Sequence, residues 1–86
     1  MPSDKKRQVI CSCFAEILRE ERLKRKLSLS ALAEKAGLSY QMISYVEREM
    51  RNPTLDTLLR ITEVLEIELS EVATRASKLA RRKEGN

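Results

Sequence analysis

Residues 37–49 read GLSYQMISYVERE, and how this stretch folds decides the rest of the chain. Wound as an α-helix at about 100° per residue, it gathers Ile43, Val46, Glu47 and Met50 on one side. The opposite arc holds Tyr40, Gln41, Ser44, Tyr45 and Arg48. An ordinary solvated helix face is mostly Glu and Lys, so an arc of hydrogen-bonding, aromatic and cationic side chains points to a partner. Glu47, set among apolar positions, needs a cation to meet it, because an unpaired buried carboxylate is costly.

The flanking residues give this segment its frame. Ser28 is a natural N-cap for a short helix, LSALAEKA, which buries Leu32, Ala33 and Ala36. Gly37 supplies the positive φ that ends it. Ser39 caps the next helix only two residues later, so the link is a tight turn, with Leu38 plugging the gap. Upstream, a first helix is expected from about Lys6 to Lys26, with Ile10, Phe14, Ile17 and Leu18 in one stripe. Downstream, RNPT (51–54) breaks the chain: Asn52 precedes a proline, and Thr54 caps a fourth helix with Asp56 in its first turn. Its inner stripe is read as Leu55, Leu58, Leu59, Thr62 and Leu65. Ile67 and Leu69 then cover the core, and Ser70 opens a fifth helix. Val, Ile and Thr nowhere alternate with polar residues at period two. The fold class is all-α, a single five-helix domain over residues 1–86.

Composition narrows the function. Eighty-six residues make one small core. Cys11 and Cys13 are the only cysteines and point to nearly opposite sides of a helix, so they read as two small packing residues in a reducing compartment. With no His, a zinc site lacks ligands, and no metal or cofactor is expected. No apolar run approaches a membrane span and no signal peptide is evident, which implies a soluble, cytoplasmic protein. Nucleophile–base and clustered-carboxylate constellations are missing, so an enzyme is not expected.

The net charge of +4 is unevenly spread. Residues 1–52 carry 11 basic and 7 acidic groups, residues 53–72 carry 1 and 5, and residues 73–86 carry 5 and 1. That polarity suits a dense anionic partner met by one side of the molecule. LKRK (23–26) reads as a solvated helix end or a phosphate patch, and RRK (81–83) as a frayed tail rather than a binding arm.

A short helix, a tight turn and a second short helix form the helix-turn-helix geometry, in which the second helix enters a major groove. Gln41 has the paired donor and acceptor that adenine needs, and Arg48 reaches guanine or phosphate. The tyrosine hydroxyls suit phosphates and their rings thymine methyls. Ser39 suits a phosphate at the helix start, and Arg51 and Asn52 lie just beyond the helix for the neighbouring backbone.

The stretch REERLKRKLSLSALAEKAGLSYQMISYVEREMRNPTLDTLLRITEVLEIELSEV resembles the lambda-repressor-like, Cro and phage-repressor type helix-turn-helix family over roughly residues 14–72. The motifs that carry the resemblance are Arg22 ahead of the Ser28 cap, LAEKAGLS, an Ile–Val–Glu run in the third helix, RNPT, and a closing Leu–x–Ile–x–Leu. The family pairs an Arg of the first helix with a Glu late in the third, which implies an Arg22–Glu47 bridge orienting the recognition helix, about residues 40–48. The resemblance places base reading on Tyr40, Gln41, Ser44 and Tyr45. It places phosphate contacts on Ser28, Ser39, Arg48, Arg51 and Asn52. The sequence departs from the pattern at Leu29, where a phosphate-binding Gln is common, and at Glu49 and Glu66, where Gly usually ends a helix.

Within the family, the small controller proteins of restriction–modification systems look similar. A phage repressor headpiece, or an antitoxin that covers a toxin and autoregulates through the same motif, would read almost alike. The apolar stripe of Val72, Ala73, Ala76, Leu79 and Ala80 exceeds what a small core needs to cover. Either the fifth helix folds back on the first, near Ile10 and Phe14, or it meets its own copy. The expectation is a homodimer through Ile67, Leu69, Val72, Ala76 and Leu79, on a palindromic operator. Residues 73–86 form a helical extension and basic tail. The implied partners are double-stranded DNA, a second copy and RNA polymerase, with no membrane and no small-molecule ligand.

Overall fold

The computed structural model describes residues 2–84, which contain five α-helices and no strand. They are α1 (Pro2–Lys24), α2 (Leu29–Ala36), α3 (Tyr40–Glu47), α4 (Leu55–Leu65) and α5 (Leu69–Glu84). Helix α1 begins at Pro2 rather than Lys6. Proline suits a first helical turn because its missing N–H has no partner there anyway, and Asp4 meets the positive end of the helix dipole. At about 34 Å, the length of 23 residues at 1.5 Å each, α1 nearly spans the 37 Å long axis of the molecule. Residues 85 and 86 of the expected tail lie outside the described residues.

Three helices start on the caps that local chemistry specifies. The hydroxyl oxygens of Ser28, Ser39 and Thr54 accept from the N–H groups of Ala31, Met42 and Thr57 at 3.0, 3.0 and 3.1 Å. The ends are less conventional. Gly37 is left-handed, with φ 70°, but so are Lys26, Glu49 and Glu66, at φ 57°, 61° and 56°. After each of these three, the next N–H returns to a carbonyl five residues back: Leu27 to Arg22, Met50 to Tyr45, Ile67 to Thr62, at 3.1, 2.8 and 3.1 Å. A side chain in this conformation costs about 1–2 kcal/mol that glycine avoids. Glu66 is exposed and lies at the end of α4. Glu66→Gly is therefore expected to stabilise the domain by about 0.5–1 kcal/mol net of the added chain freedom, a rise of roughly 2–8 °C in thermal midpoint. A calorimetric scan showing no rise would count against the strain.

The core is one cluster of Cys13, Ile17, Leu18, Leu32, Ala33, Ile43, Val46, Ile61, Leu65, Val72, Ala76 and Ala80. Ala33 and Ala36 are small, which lets α2 lie close to its neighbours. Half-buried Leu38 packs against the cluster from the α2–α3 turn, and Leu29 from the start of α2. Leu29 thus fills a packing position.

Four expectations need correction. Val72 and Ala76 are 0% exposed, and Ile67 and Leu79 pack against the same cluster, so the expected dimer face is largely inside the monomer. The cause is α5, which folds back antiparallel on α1: Arg75 Nη1 meets Glu21 Oε2 at 2.9 Å and Lys83 Nζ meets Glu16 Oε1 at 3.1 Å. On α4 the buried positions are Thr57, Ile61, Thr62 and Leu65, while Leu55 and Leu59 face outward, 63% and 45% exposed. Met50 is exposed rather than inward, because left-handed Glu49 turns the chain before it. Cys11 is exposed rather than packed, whereas Cys13 is buried in the core as expected, and burial pushes its thiol pKa up.

Candidate nucleic-acid interface

The bridge between Arg22 and Glu47 fixes α3 to the scaffold. Arg22 Nε donates to Glu47 Oε2 at 2.7 Å and Nη2 to Oε1 at 3.0 Å, a bidentate pair. The remaining arm, Nη1, donates to the Leu27 carbonyl at 2.7 Å. Both side chains are more than nine-tenths buried. One guanidinium thus joins α1, the α1–α2 link and the C-terminal end of α3. The hydrogen bonds to Glu47 hold the Arg22 pKa above its ordinary value, against the opposing effect of burial. The lone carboxylate on the apolar side of α3 is accounted for.

With its inner side fixed through Ile43, Val46 and Glu47, α3 turns its other arc to solvent. Tyr40 is 55% exposed, Gln41 is exposed, and Ser44 and Tyr45 are half-buried. These side chains are already ordered against one another. Gln41 Nε2 donates to the Tyr45 hydroxyl at 2.6 Å, and Arg48 Nε donates to Ser44 Oγ at 3.0 Å. The Arg48 and Arg51 guanidinium carbons lie 5.9 and 5.4 Å from the Tyr45 ring centroid, within cation–π range. Gln41 keeps its carbonyl oxygen and a second N–H, the pair that a bidentate contact to a base edge requires. Met42, half-buried, packs on the core rim.

The residues expected from the sequence to contact a nucleic-acid backbone are accessible. Ser28 and Ser39 each use the hydroxyl oxygen as a cap acceptor, which leaves the proton to donate outward. Arg48, Arg51 and Asn52 are exposed. The structure therefore brings Tyr40, Gln41, Ser44, Tyr45, Arg48 and Arg51 into one surface around α3.

A second buried carboxylate has no counterpart in the sequence reading. Glu21, 4% exposed, accepts from Arg25 just past the end of α1 and from Arg75 of α5, with Lys24 Nζ at 3.7 Å. The hydrogen bonds from Arg25 and then Arg75 outweigh burial and hold its pKa down to about 2. The Arg25 contact was recoverable from i, i+4 spacing; the 54-residue reach to Arg75 carries no local signal. Among the described residues, no group of three or more His, Cys, Asp or Glu is placed to hold a metal ion. No helix of the described residues is long and apolar enough to cross a membrane.

Two short helices at a glycine turn, the second one anchored inside and polar outside, define a helix-turn-helix domain. The helix-turn-helix family matches residues 18–72, most of the chain, and the protein belongs to that family in its lambda-repressor-like form. No curated protein matches. Among solved structures, the chain is similar to the clp gene regulator ClgR from Corynebacterium glutamicum, at 20% identity with a TM-score of 0.81. The alignment covers 88% of this chain and 81% of that one, and shows a shared fold.

Proposed function

We propose that this protein is a sequence-specific double-stranded DNA-binding transcription regulator that acts as a homodimer on a palindromic operator. One observation carries the reading: the exposed, mutually hydrogen-bonded arc of α3, on a helix held from behind by a buried bidentate ion pair. The description of the similar solved structure as a gene regulator agrees with it. Tyr40, Gln41, Ser44 and Tyr45 read base edges. Ser28, Ser39, Arg48, Arg51 and Asn52 hold phosphates. A single recognition helix reads only a few base pairs, so two copies one helical turn apart supply useful affinity. The protein would work in the cytoplasm and alter the access of RNA polymerase to nearby promoters.

Selection of bound sequences from a random duplex pool tests the whole reading; recovery of no common sequence overturns it. Gln41→Ala is expected to cost about 1–3 kcal/mol of discrimination at one base position in each half-site. Arg51→Ala should instead weaken all sequences alike and lower the salt dependence by about one counterion. Equal effects of the two variants on cognate and random duplexes would remove the assigned division between base and backbone contacts.

A further inference from the structure

Helix α4 carries the one exposed pair of large apolar side chains one helical turn apart among the described residues, Leu55 and Leu59. Beside it, at the same spacing, runs a pair of opposite charge, Asp56 and Arg60. The sequence LDTLLR thus repeats one pattern twice, apolar then charged, with the sign of the charge reversed. Both charged side chains are accessible: Asp56 is 76% exposed and Arg60 48%. At present they meet each other, with Arg60 Nε donating to Asp56 Oδ2 at 2.8 Å.

A two-fold axis crossing α4 midway between these pairs, with two copies antiparallel, sets Leu55 of one copy against Leu59 of the other. The same operation sets each Asp56 against the other copy's Arg60. An isologous contact requires this reciprocity, in which residue i meets j and j meets i. Side chains i and i+4 lie on one helix face, so both pairs can meet at once. We infer that the α4 face of Leu55, Asp56, Leu59 and Arg60 is where two copies of this chain associate. This rests on the homodimer reading above and relocates the interface from α5, whose apolar side is occupied by α1. Leucine contacts supply the apolar burial. The charges set antiparallel register, since a parallel arrangement would oppose like charges.

The test uses the full chain and sedimentation, with circular dichroism to verify folding. The wild type should sediment as a dimer, and Leu59→Glu as a folded monomer. Asp56→Arg and Arg60→Asp should each weaken self-association at least tenfold, because each sets like charges against one another. Mixing these two variants should restore the dimer, now as a heterodimer with complementary charges at both contacts. Pairing within a single helix cannot produce that rescue.

A monomeric wild type, a folded Leu59→Glu variant that stays dimeric, or a mixture that fails to re-associate would each overturn the assignment. The second and third results leave the homodimer reading standing if the wild type is dimeric. Base discrimination by Gln41 is measured independently of all three.

Discussion

Replacing Glu47 with alanine is expected to destabilise the domain by about 3–5 kcal/mol, the cost of leaving a buried guanidinium without its counter-charge. For a domain of this size, that corresponds to a fall of more than 10 °C in thermal midpoint. Arg22 donates to both carboxylate oxygens of Glu47, and only its third arm has another partner, the Leu27 carbonyl. Removing the carboxylate leaves two donors in a site with little access to water. The paired change Arg22→Met with Glu47→Leu should cost much less, because it removes both charges together. If Glu47→Ala melts within about 1 kcal/mol of the wild type, in the range of an exposed ion pair, the bridge does not hold α3. DNA affinity of the single variant, measured well below its melting point, should also fall, since α3 loses its anchor.

Acid should remove a second contribution, that of Glu21. Its folded pKa is depressed from 4.5 to about 2 by Arg25 and Arg75. A carboxylate with a depressed folded pKa stabilises the fold above its unfolded pKa. Between pH 4.5 and about 2 the unfolded chain binds a proton there that the folded chain does not, so stability falls as pH falls through this window. A depression of this size corresponds to roughly 3 kcal/mol as an upper figure. Glu21→Gln should be less stable than the wild type at neutral pH and should approach it near pH 2. Denaturant melts across that range measure the difference directly, and parallel curves for the two proteins would refute the role of Glu21. The loss should appear as loosening of α5 from α1, because Arg75 is the α5 partner.

The central part of the fold was legible because short-range chemistry specifies it. Ser28, Gly37 and Ser39 each have a local job, two caps and a left-handed turn, and the structure finds all three performing it. The Arg22–Glu47 bridge was legible for a different reason: a carboxylate on an apolar face demands a cation, and the family pattern named one. Periodicity alone did less well on α4. Leu55 and Leu59 look like core residues by composition, yet α4 buries Thr57 and Ile61 in their place, beside the expected Thr62 and Leu65. Threonine at these sites is affordable because its hydroxyl is absorbed locally, Thr62 by the Leu58 and Leu59 carbonyls and Thr57 by Thr54. The side on which α4 meets its neighbours is a tertiary choice with no local mark. The same holds for α5. Its stripe told that it must be covered, and only the packed structure shows that α1 covers it.

A reading helix clamped by a forked ion pair has little freedom to swivel or slide against the body that carries it. Docking onto a duplex then costs little ordering entropy from the main chain, and the nucleic acid must supply most of the mutual adjustment. Preference among sites would accordingly reside in a few outward groups and in how readily each duplex bends to meet them, rather than in any repositioning of the helix.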